Sequence, residues 1–389
     1  MAQRVIVALT TVLFCAPSVQ PAADPLGENA ALQYWQAFAM MPSDDQLNER
    51  QRKALGDVAT APLDRAAEEL TGKSRTALVY LHRGAALRPC SWGLAAGLKQ
   101  DGPLEVRLPH VFKAVRLARV ACLRARYAFE QGQPRAALDD LLAVLVLARH
   151  AAVDGTVISK GAEYAIENLA VEVAAAHAGT IKDPKILRTV LVGLKALPRS
   201  EALGEVIRRE RDAYTAWIRA KRLAALEVVI PDFDGADDRK KKQIREFLGI
   251  NESVYDKICE ALTKRYDEAA AIAELPFDRY EAAAGPFLKK LKGFDPAAKP
   301  LVVDIVPRLL APPLKVRRAE ARTQARLAMF QAAVAILADG KDQLKAFRDT
   351  FGSGPFGYRE FEDGFELKSK LHDAEGKHVS LLFRTAGKQ

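Results

Sequence analysis

Residues 108–179 constrain this chain more than any other stretch. Val111, Val115, Ala118, Cys122, Ala125 and Phe129 recur in steps of four and three, which places them on one helical face. Arg116, Arg119 and Arg126 fall off that stripe. Gly132 permits a turn, and Pro134 suits the first turn of a new helix, where a missing N–H costs little. Leu138, Leu141, Leu142 and Leu145 then continue the pattern. Two amphipathic helices joined this tightly must lie antiparallel. A third helix, over about 158–177, puts Ile166, Leu169, Ala170 and Val173 on a shared face.

The hairpin resembles a tetratricopeptide repeat. Leu123, Tyr127, Ala136 and Ala143 fall where that repeat places its Leu, its Tyr and two small residues of its second helix. Val120, Arg124, Asp140 and Ala148 stand where it places Trp, Gly, an aromatic and a closing Pro. No copy recurs at a spacing of about 34 residues. The resemblance implies repeat-like helix pairing and not a repeat array.

The length of 389 residues and a hydrophobic content of 49% suit a globular chain with a sizeable core. A net charge of +9 favours anionic partners, although the charge is spread over many segments. The chain starts with Arg4, an uncharged apolar run over 5–16, and small residues at Ala16, Ser18, Ala22 and Ala23. That order predicts a signal peptide over 1–23 and export to the periplasm or the extracellular space. The run is shorter than the roughly 20 residues of a membrane span. No later run of that length lacks charges, so no transmembrane segment is expected in the mature chain. Phe14 before Cys15 argues against lipidation.

Export makes nucleic acid a poor partner and makes cysteine pairing feasible. Cys90, Cys122 and Cys259 remain, an odd number. Cys90 lies in RPCSWG and Cys122 on the apolar face of the first central helix. A Cys90–Cys122 disulfide would pin the loop to the hairpin; the other reading is two buried thiols.

Around this centre, Asn29 caps a helix that Pro42 ends, and Ser43 begins a second. Helix returns over about 63–87, followed by a Gly/Pro-rich loop over 88–109. Trp92 in that loop is either a binding aromatic or a packing anchor. Asp183 and Pro184 open another helix. A long helix over about 200–229 then carries Arg208, Arg209, Arg211, Arg219, Lys221 and Arg222 beside Tyr214 and Trp217. Trp92, Arg208, Arg211 and Trp217 are the candidate binding residues. Residues 231–242 read as an acid-then-base linker, because Gly235 stands two places early for a calcium loop. Helices follow over 251–275, 276–291 and 296–310. Pro312 and Pro313 then precede a last one to about Leu337.

At the end, Phe365, Leu367 and Ser369 alternate with Glu366 and Lys368, as do Val379, Leu381 and Phe383 with their neighbours. An antiparallel meander over about 355–384 is expected, with Leu327, Phe330, Val334 and Leu337 offering it a surface. Gly352, Gly354 and Gly357 spell GxGxxG, but a helix precedes them and Pro355 interrupts, which excludes a dinucleotide turn. The expected fold is mainly α: an array of helical hairpins with a small C-terminal antiparallel β meander. It divides into 1–23 (leader), 24–345 (helical) and 346–389 (meander).

GPFGYREFEDGFEL, together with RPCSWG, LARVACLRARYAFEQG and LLAVLVLARHAA, resembles segments of exported proteins common in planctomycete bacteria. The resemblance implies an exported helical protein with a short β tail and carries over no functional residue. The chain has no GxSxG and no HExxH, and its six histidines never pair at metal-ligand spacing. No cofactor is expected. The expectation is a non-catalytic protein that binds another exported protein or an anionic envelope polymer. The alternatives are an exported hydrolase and a protein held to the envelope by a basic face.

Overall fold

The computed structural model describes residues 28–103, 105–222, 224, 225, 228, 242, 253–292 and 300–384. The leader over 1–23 and the linker over 231–241 lie outside the described residues. The described fold is mainly α with a small three-stranded antiparallel sheet near the C-terminus.

The central helices are α6 (Pro109–Glu130), α7 (Pro134–Ala151) and α8 (Val157–Ala178). Gly132 turns the chain between α6 and α7 at φ +68, where a side chain would be strained. Proline opens α6 and α7 and also α9 (Pro184–Lys195), at positions whose N–H groups have no intrahelical acceptor. Ala118, Cys122, Leu123 and Ala125 meet Leu138, Leu141, Val144 and Leu145 in a dry core, and α8 packs on both helices. Two of the positions that depart from the tetratricopeptide pattern meet across the hairpin. Arg124 Nε donates to the nearly buried carboxylate of Asp140 at 2.7 Å, so the two form an ion pair across the hairpin.

Preceding these helices are α1 (Ala30–Met40), α2 (Glu49–Gly56), α3 (Arg65–Lys73), α4 (Arg75–Ala86) and α5 (Leu94–Gln100). Three details differ from the sequence expectation. Ser43 opens only a short 3-10 turn, Asp44–Gln46, and Asn48 caps α2, accepting from the Gln51 amide at 2.9 Å. Ser74 divides the helix expected over 63–87, and α5 forms inside the expected loop over 88–109. The loop's Gly102, at φ +79, lies against the Trp217 indole, where any Cβ would collide with the ring.

Next come α10 (Leu203–Lys221), α11 (Ser253–Glu274), α12 (Phe277–Lys292) and α13 (Pro300–Asp339). Val206, Ile207, Trp217, Ile218, Ile258, Leu262 and Tyr266 form a second core between α10 and α11. The break expected at Pro312 and Pro313 does not occur. A proline removes one N–H and crowds the preceding turn, yet α13 runs through both for 40 residues.

Strands β1 (Gly357–Phe361), β2 (Gly364–His372) and β3 (His378–Arg384) pair in sequence order. Alternating burial in β2 and β3 gives one dry face. That face, with Phe365, Leu367, Val379, Leu381 and Phe383, joins the same core as Phe330 and Val334 of α13. The β2–β3 corner is thereby set beside α8 and α13.

Candidate functional site

Helix α8 organises the buried polar chemistry, and its two faces differ. Toward α7 and Ser200, Lys160 Nζ donates to Glu163 Oε2 at 2.5 Å and to Ser200 Oγ at 2.6 Å. Ser200 Oγ in turn donates to Glu163 Oε1 at 2.5 Å. Arg149 of α7 pairs with Glu167 and lies 3.5 Å from Glu163. Lys160 and Glu163 are 0% and 1% exposed. Burial pushes the Glu167 carboxyl up, against the pull of Arg149 and with the push of Glu163. At the start of α8, Glu210 of α10 accepts from the Val157 amide at 2.7 Å. Burial pushes Glu210 up to about 7, although that amide and Arg209 favour its charge.

On its other side α8 borders a groove of about 470 Å³. Tyr164, Asn168, Leu169 and Glu172 of α8 form one wall, and Phe277 and Glu281 of α12 a second. Arg318, Arg322 and Arg326 of α13 form the third, and Leu371, His372 and Val379 close the end. Steps of four place the three arginines along one side of α13; the first two are exposed and the third is buried. Arg318 is an exposed pair with Glu281 at 3.2 Å. Arg322 is exposed and forms no ion pair among the described residues; its charge helps hold Asp373 below the usual carboxylate range, after the Lys377 amide.

Arg326 is the buried member, 8% exposed, and its Nε has no hydrogen-bond partner. The nearest acid, Glu172, is 3.6 Å away. Burial pulls the Arg326 guanidinium below its ordinary range, with Arg322 adding to the effect and Glu172 opposing it. Opposite stands Asn168, whose Nδ2 donates to the Tyr164 carbonyl at 2.8 Å and to Thr323 Oγ1 at 2.5 Å. Those bonds orient the amide so that its buried Oδ1 has no donor. The groove thus combines one spare cationic N–H, a second guanidinium, one spare acceptor and the apolar sides of Leu169, Phe277 and Val379.

A second cavity, of about 480 Å³, lies between α4, α7 and α9. His82 is its edge residue, and its Nε2 is 2.7 Å from Asp140 Oδ1. Ala85, Leu87, Leu142, Val146 and Leu197 make the rest largely apolar.

The residues singled out in the sequence do not assemble into a site. Cys90 and Cys122 are free thiols, so the Cys90–Cys122 bond is not formed. Cys90 Sγ lies 3.8 Å from the His150 carbonyl. Cys122 has Asp140 as its charged neighbour, ten residues earlier on α7, or about 15 Å along the axis. A disulfide needs Cα atoms within about 7 Å. Burial pushes the Cys90 thiol up to about 12 and raises that of Cys122 further.

Trp92 anchors its loop: its Nε1 donates to the His150 carbonyl at 2.6 Å, and its ring stacks on His110 at 4.5 Å. Burial holds His110 and His150 down at about 4, so both rings are neutral near pH 7. Arg208 grips Glu274 of α11 with bonds of 2.6 and 2.7 Å, and Arg211 pairs with Asp212 and Asp267. Trp217 is 1% exposed beneath Gly102. Arg208 and Arg211 of α10 therefore face acids of α11.

Arg322, Arg326 and Asn168 were not singled out by sequence. The four-residue spacing in KVRRAEARTQAR was the one available signal, and Asn168 lies 155 positions from its Thr323 partner. Among the described residues no group of three His, Cys, Asp or Glu side chains is placed to hold a metal ion, and no helix is long and apolar enough to cross a membrane. Comparison with family models, curated proteins and solved structures finds no match to this chain.

Proposed function

We propose that this chain is an exported, non-catalytic binding protein that takes a carboxylate group of its partner in the groove between α8, α13 and the β2–β3 corner. One observation carries the reading: Arg326 is buried with its Nε unpartnered, and Arg322 stands one turn away without an ion pair among the described residues. A buried donor left unmade costs about 1–3 kcal/mol, more when charged. A carboxylate restores the bond in charge-assisted form, and the planar guanidinium matches its geometry. Export rests on the leader over 1–23, so the partner is another exported protein or an anionic envelope polymer.

The test is calorimetric titration of the purified chain with a carboxylate panel comprising citrate, polygalacturonate and peptides with free C-termini. At least one should bind, and Arg326→Gln should weaken it by about tenfold or more. A panel that does not bind, or binds Arg326→Gln as tightly as the native chain, refutes the reading.

A further inference from the structure

We infer that the group taken by the groove is the free C-terminus of a peptide ending in an apolar residue. This rests on the reading of the groove as a carboxylate site and specifies its ligand. Arg326, with Arg322 a turn away, supplies the cationic end. The spare acceptor is Asn168 Oδ1, whose orientation is set by the two bonds its Nδ2 donates. A ligand that satisfies both must carry a carboxylate and a nearby N–H or O–H.

Two exported chemistries meet that condition: an acidic sugar and a peptide end. The remaining wall decides between them. Leu169 and Phe277 are half-buried hydrophobics facing the cavity, and Val379 closes it. A uronic acid carries hydroxyls around its ring, and each one buried without a partner opposes binding. Leu169, Phe277 and Val379 have nothing to give them, and the carboxylates of Glu172, Glu281 and Asp373 on the same lining oppose a polymer of acidic sugars. A peptide C-terminus brings one carboxylate, one adjacent backbone N–H and one side chain. Those match the guanidinium pair, the Asn168 acceptor and the apolar wall, one to one. Capture of a terminal carboxylate is an established mode of peptide recognition. The volume of about 470 Å³ is also of small-ligand size, suiting a chain end better than a long segment.

Fluorescence anisotropy with labelled Gly-Ser-Gly-Ala-Leu tests the assignment. The free-acid peptide should bind, and its C-terminal amide should bind at least about tenfold more weakly. Arg322→Gln, at an exposed position with no ion pair among the described residues, should weaken the acid form and leave the amide unchanged. Asn168→Ala should weaken the acid form again, and its unfolding curve is recorded alongside to separate binding from folding. Equal binding of acid and amide overturns the inference. Binding of oligogalacturonate but not of peptide, lost in Arg326→Gln, overturns it while the carboxylate reading stands. If neither ligand binds, both fall.

Discussion

Toward α7, helix α8 buries Lys160, Glu163 and Glu167 among Arg149 and Ser200, two cations against two carboxylates, bridged by a hydroxyl that both donates and accepts. Toward α13, the same helix sets Asn168 on the groove that Arg326 also lines and leaves the buried Oδ1 and Nε over. Removing charge from water is costly in both places. The first face recovers the cost within the fold, since each charge finds an opposite one within hydrogen-bonding range. The second is incomplete, and an incomplete buried polar surface opening into a cavity is what a ligand completes. The comparison also separates the groove from α10, where Arg208 and Arg211 have their carboxylates in Glu274 and Asp267.

The sharpest way to break this contrast is to unbalance the closed face. Lys160→Met leaves Glu163 and Glu167 buried with Arg149 alone. Removing one partner of a buried pair costs about 3–5 kcal/mol, and urea unfolding should show a loss of that order. An unchanged midpoint would mean that the network contributes no more than an apolar contact.

A smaller effect is expected at Glu210. Its carboxyl is raised in the folded chain to about 7, from an unfolded value of about 4.3. The folded state therefore favours the neutral form. The stability this contributes is fully present below pH ~4.3 and is lost as pH climbs toward 7, on the order of 3 kcal/mol at the upper end. Glu210→Gln can still accept from the Val157 amide at its Oε1 and has no charge to form. Stability of the variant relative to the native chain should rise across that window; a constant difference from pH 4 to 8 would contradict the raised carboxyl.

These interactions mark how far sequence reading reached. Helices α6, α7 and α8 were legible because an apolar stripe with helical period and, for α7, the proline at its start are local signals. The meander was legible from period-two alternation. What failed was non-local. Pro312 and Pro313 read as a stop, since local propensity says nothing about the continuation of α13 on either side. Helix α5 was hidden among glycines that read as a loop. Arg124 and Asp140 stood out as departures from a repeat pattern, and nothing in their spacing said that each is the other's partner. The groove draws on α8, α12, α13 and the β2–β3 corner, so no single window contains it. Arg318, Arg322 and Arg326 read as an ordinary basic helix start until burial distinguished the last of them.

The central claim is that the polar groups left over beside α13 serve a ligand and not the fold. Arg326→Met tests it most directly when stability and binding are measured on the same preparation. Methionine follows much of the arginine's apolar stem and removes the under-paired guanidinium, and Glu172 opposite is half exposed and can turn to water. The account predicts a melting temperature equal to or above that of the native chain, with binding of the free-acid peptide lost. A clear fall in melting temperature with peptide binding intact would contradict it, and would place Arg326 among the groups that hold the fold together.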